Sequence, residues 1–171
     1  MNLAFIALAL GVGLWLKHFY SGAGFDDLRW VLAPTVWLVE RLTGSDFVAE
    51  AQRGYYSAGL RYEIVPACAG VNFMIVAFWS LACGLMSTRR TVGARFAWIA
   101  ASGFAAYAVT LLANATRITI AIALHRAGVS FGPLTPDRLH AAEGVAVYFL
   151  FLCVTFAIGT CVAGARRVAA I

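Results

Sequence analysis

Three short stretches set reactive or charged side chains at the edges of long apolar runs. They are Pro66-Ala67-Cys68-Ala69-Gly70-Val71-Asn72, Asn114-Ala115-Thr116-Arg117 and His140-Ala141-Ala142-Glu143-Gly144. Their residue types fit thiol chemistry. Cys68 supplies a nucleophile, and a thiolate at the start of a helix is favoured by the partial positive charge there and by any neighbouring cation. His140 can move protons near neutral pH, where imidazole titrates. Arg117 keeps its charge and can stabilise an oxyanion.

Residues three or four apart share a helix face. Cys68 is therefore expected above Asn72, Asn114 above Arg117, and His140 above Glu143 and Gly144, which makes Asn72, Asn114 and Glu143 supporting candidates. A charge near a bilayer core costs roughly 2.5–3.5 kcal/mol on insertion scales. Arg117 and Glu143 stand where leucine would cost less. Each residue also has a plainer role: a thiol at a helix end is usually inert, an arginine there can be a snorkelling anchor, and His140 can be an interfacial polar residue. His18 and His125 belong to that plainer class.

The other cysteines, Cys83, Cys153 and Cys161, fall inside apolar runs and read as inert thiols. The four form no C-x-x-C pair and no Cys/His zinc spacing. Neither a metal nor another cofactor is expected.

The elements that carry these residues follow from composition. The chain has 171 residues, 62% of them hydrophobic and 12% charged, against about 25% charged in soluble domains. The expected fold class is an all-α integral membrane protein in a single domain, with about four transmembrane helices and an interfacial helix. The net charge of +5 does not indicate nucleic acid, because there is no long Lys/Arg run and no basic stripe with interleaved aromatics.

Residues 2–20 form the first expected span; the start Met-Asn-Leu-Ala-Phe lacks the basic region of a signal peptide. Residues 21–66 carry charges of both signs and are expected outside the membrane. Within them, residues 28–42 are apolar, rich in tryptophan and interrupted by Pro34, which suits an interfacial or partly inserted helix. Residues 44–65 read as a loop or short polar subdomain. Further spans are expected at 67–87, at 96–113 with a kinked or half-inserted continuation to 125, and at 139–163. The stretch between Arg126 and Leu139 reads as a loop, marked by Gly128, Gly132, Pro133 and Pro136.

Basic residues orient the spans. The turn with Arg89, Arg90 and Arg95 and the tail with Arg166 and Arg167 should face the cytoplasm. The spans at 67–87 and 139–163 then begin outside, and the span at 96–113 ends outside. Cys68, Asn114, Arg117 and His140 come to one extracytoplasmic face, with the thiol expected within about 2.6–3.2 Å of the imidazole.

Together the three motifs resemble the exosortase/archaeosortase family: Cys68-Ala69-Gly70, then Asn114 to Arg117, then His140 to Gly144. The resemblance runs from about Glu63 to the C-terminus, and the chain is similar to the short class called exosortase K. It implies a cysteine transpeptidase or protease in the cell (inner, cytoplasmic) membrane, with its active site on the extracytoplasmic side. Its implied partners are exported proteins whose C-terminal sorting signal comprises a short motif, a transmembrane helix and a basic tail. Cys68 would form a thioester with the new carboxyl end, with Arg117 and His140 completing the triad. Two alternatives stay open: a four-helix thiol-redox membrane protein, which needs a second outward cysteine, and a non-catalytic membrane scaffold whose polar seams are interhelical hydrogen bonds.

Overall fold

Long apolar stretches become helices because a helix satisfies its own backbone hydrogen bonds. A computed structural model describes residues 2–86, 91–127 and 136–168, and the side chains of all of these except 2, 136–140 and 164–168. The helices are α1 (Asn2–Gly22), α2 (Arg29–Thr43), α3 (Val71–Gly84), α4 (Val92–Ala127) and α5 (Pro136–Val168). Four segments are long and apolar enough to cross a membrane: Leu3–Gly22, Pro66–Gly84, Val92–Ala127 and Ala141–Ala163. Arg89, Arg90, Gly128, Gly132, Pro133 and the side chains of His140, Arg166 and Arg167 lie outside the described residues.

Several elements differ from expectation. Residues 44–65 contain a three-stranded antiparallel meander, β1 (Val48–Glu50), β2 (Gly54–Ser57) and β3 (Tyr62–Ile64), in the order β1-β2-β3. Helix α4 runs through Arg117 to Ala127 with no interruption, since nothing between 114 and 125 breaks a helix. Helix α5 starts at Pro136, where a proline's fixed φ and missing N–H suit the first turn.

The chain forms two compact units. The first comprises Met1–Gly22, Val71–Thr110 and Leu150–Ile171. Here α1 meets α3 through small residues: the Trp79 indole donates to the Ala9 carbonyl at 3.1 Å. One turn on, Gly13 leaves room for the same ring, where a Cβ would collide with Trp79 Nε1. Phe5 packs edge-on against Phe96, with centroids 5.1 Å apart, and the Trp98 indole donates to the Leu81 carbonyl at 3.0 Å.

The second unit comprises Ala23–Gly70 and Leu111–Phe149. Helix α2 buries Val31, Leu32, Thr35, Val36 and Val39, a stripe at helical spacing, and leaves Trp30 and Trp37 exposed. Pro34 lies inside this helix. Gly44 closes it in the left-handed conformation, and the Glu40 carboxylate accepts from the Phe47 N–H at 2.9 Å, tying the helix end to the sheet. In the sheet, Tyr55 pairs with Ile64 and Tyr56 with Glu63. Strand alternation turns Tyr62 and Ile64 to the same side, and Ile64 is fully buried.

Candidate active site

Strand β3 leads into a 3-10 turn, Pro66–Ala69, that carries Cys68. Pro66 opens the turn, and the Cys68 N–H donates to the Val65 carbonyl at 2.8 Å. Gly70 then adopts φ 69° and ψ 17°, a left-handed conformation that ends the turn before α3 begins at Val71. The helix expected from residue 67 therefore starts four residues later, and Cys68 does not stand above Asn72 on one face. Asn72 belongs to the first unit, where its Oδ1 accepts from Lys17 Nζ at 2.8 Å.

Helix α4 brings Asn114 and Arg117 to Cys68 within the second unit. Asn114 is 0% exposed, and its Nδ2 donates to the Cys68 carbonyl at 2.9 Å. The Arg117 guanidinium lies beside Cys68 and interacts with it electrostatically. The two residues are three apart on one helix, so a single helix face holds the Cys68 backbone and sets a fixed positive charge beside it. This close approach explains Gly70. A Cβ there would lie 2.6 Å from Asn114 Nδ2 and 2.7 Å from its Oδ1.

Helix α5 closes the other side. Gly144 is buried, and a Cβ at that position would come within 3.3 Å of Arg117 Cδ. Tyr148, one turn further, donates its hydroxyl to Asn114 Oδ1 and sets its ring 5.7 Å from the Arg117 guanidinium carbon. Glu143 interacts electrostatically with Arg117, and both of its carboxylate oxygens are shielded from solvent. Cys68 itself is half-buried.

The structure thus brings Cys68, Asn114, Arg117 and Glu143 together. The side chain of His140 lies outside the described residues; its backbone is in the first turns of α5, one turn before Gly144. His18 and His125 are exposed. Among the described residues, no group of three His, Cys, Asp or Glu side chains could hold a metal ion.

Two tyrosines join the site without having been singled out. Tyr148 follows Gly144 by one helical turn, so register along α5 could have found it. Tyr62 sits on the buried side of β3, which alternation with Ile64 could have flagged. Its hydroxyl is pushed up to about 12, first by burial, then by the neighbouring Cys68 and Glu143, with Arg117 opposing. The phenol remains a neutral donor at working pH. No family model, curated protein or solved structure matches the chain.

Proposed function

We propose that the chain is a multi-pass membrane transpeptidase of the exosortase kind, with Cys68 as nucleophile, Arg117 as oxyanion stabiliser and His140 as proton carrier. The observation that carries this reading is the setting of Cys68: Asn114 holds its carbonyl, and the Arg117 guanidinium, three residues on along the same helix, lies beside it. A structural thiol needs neither. A guanidinium beside Cys68 stands next to the position where an oxyanion develops.

In the proposed reaction the Cys68 thiolate adds to the scissile carbonyl carbon of the substrate. Arg117 stabilises the resulting oxyanion. Collapse expels the amine of the C-terminal fragment, which takes its proton from the His140 imidazolium, and leaves a thioester on Cys68. An acceptor amine then adds to the thioester, gives a proton to His140, and releases the thiolate. The substrates are exported proteins whose C-terminal signal has a short motif, a transmembrane helix and a basic tail.

Length supports a membrane setting. Helices α4 and α5 have 36 and 33 residues, about 54 and 50 Å at 1.5 Å per residue. A hydrocarbon core is about 30 Å thick, so part of each helix stands beyond it. Arginine placement puts the Cys68 end outside.

The test is processing of a tagged exported protein carrying such a signal, co-expressed with this chain. Cys68→Ala and Cys68→Ser should both abolish loss of the tail. A protein with Cys83→Ala, Cys153→Ala and Cys161→Ala should process at the wild-type rate, an outcome a disulfide carrier could not give. Tail loss retained in Cys68→Ala would refute the thiol mechanism. Variants that are inactive yet stably inserted count against a scaffold.

A further inference from the structure

An amide side chain can present either end to a neighbour, and only one end of Asn114 can hold Cys68. The Cys68 carbonyl is an acceptor, so it must meet Nδ2, as it does at 2.9 Å. A flipped amide would turn Oδ1 toward that carbonyl, oxygen against oxygen. Asn114 is fully buried, so water does not choose between the two orientations. The Cys68 carbonyl, which can only accept, makes that choice, and the Tyr148 hydroxyl then donates to Oδ1 and ties down the other end of the amide.

We infer that Tyr148 is a positioning residue, which anchors the far end of the Asn114 amide so that it grips the Cys68 backbone and thereby holds Cys68 beside Arg117. The inference rests on the transpeptidase reading for its catalytic meaning, though the grip itself is independent of turnover. Its physical basis is the geometry of the turn. Cys68 lies in a four-residue 3-10 turn between an extended residue, Val65, and left-handed Gly70. Within the turn its own N–H bond reaches only Val65. The carbonyl hold from Asn114 is what ties this short turn to a long helix, and a rotation of the turn would carry the thiol away from Arg117.

Tyr148 also links the two sides of the proposed chemistry. It lies on α5 two turns after position 140, and one turn after Gly144, whose missing side chain lets α5 approach Arg117. The helix that supplies the proposed proton carrier therefore also orients the nucleophile's support.

The experiment reads the Cys68 carbonyl directly. In a protein with Cys83→Ala, Cys153→Ala and Cys161→Ala, carbon-13 labelling of the cysteine carbonyl carbon gives one isotope-edited amide I band. Loss of a hydrogen bond to that carbonyl moves the band to higher frequency. Asn114→Ala should move it up, and Tyr148→Phe should move it up by less. In processing, Tyr148→Phe should lower kcat roughly 3- to 10-fold, the worth of one net hydrogen bond, with KM little changed. If Tyr148→Phe does not insert, 3-fluorotyrosine at position 148 keeps the ring and donates more strongly, and the band should move down.

A band unmoved by Tyr148→Phe, or by 3-fluorotyrosine in its place, overturns the inference. So does a change confined to KM. Failure of the transpeptidase reading is seen elsewhere, in tail loss retained by Cys68→Ala, and leaves the band test intact.

Discussion

Replacing Gly70 with alanine should damage the protein more than the same change at Gly44, a glycine of nearly the same left-handed φ. Gly44 is the natural control, with φ 66° against 69° at Gly70 and nothing within 4 Å of an added Cβ. Both substitutions carry the left-handed penalty for an L-residue, about 1–2 kcal/mol. At Gly44 that is the whole effect. At Gly70 the new Cβ meets Asn114 at 2.6, 2.7 and 2.9 Å, from Nδ2, Oδ1 and Cγ. Asn114 is fully buried and bonded at both ends, to the Cys68 carbonyl and to Tyr148, so it cannot yield without losing partners. An unsatisfied buried polar group costs about 1–3 kcal/mol, which with the left-handed penalty brings Gly70→Ala to about 2–5 kcal/mol. Thermal unfolding in detergent should therefore place Gly70→Ala well below Gly44→Ala. Adding Asn114→Ala to Gly70→Ala should recover part of the loss, since the two changes share one contact. If Gly70→Ala and Gly44→Ala melt together, or if the double variant is simply additive, Asn114 does not press on Gly70 and the described clamp is wrong.

Arg117→Lys keeps a charge but loses the planar fork, and tail processing should fall by about 10²–10³ while the protein stays inserted; a loss under tenfold would remove the oxyanion role. Tyr62 tests the site's polarity by titration. Its pKa is raised from 10.0 to about 12, so the unfolded chain gives up this proton first. The stability it contributes is fully present below pH 10 and is lost as pH rises toward 12. Tyr62→Phe should flatten that alkaline decline and delete the latest phenolate step in an ultraviolet titration; deletion of a step near 10 instead would place Tyr62 in solvent.

Much of the architecture was legible in the chain. Unbroken apolar runs marked the four long helical segments, because backbone satisfaction and apolar composition are both local properties. The helical character of 29–43 followed from its apolar spacing in spite of Pro34. The Asn114–Arg117 spacing announced two side chains on one face, and the structure turns that face to Cys68.

Tertiary structure decided what those faces meet. Asn72 was expected beneath Cys68, but a left-handed Gly70 separates them, and Asn72 bonds to Lys17, 55 residues away. Spacing cannot reveal that, because periodicity holds only while one helix continues. The small sheet, with strands of three, four and three residues, was equally hidden: such strands are too short for alternation to stand out, and cross-strand pairing selects them. Tyr148 entered the site only because Gly144 lets α5 approach Arg117 and Asn114 needs a donor at its second end. Sequence by itself determined which residues share a helix face and which segments are apolar. Only the folded chain decided which faces touch, since a buried polar atom takes its partner from whatever element packing brings within reach.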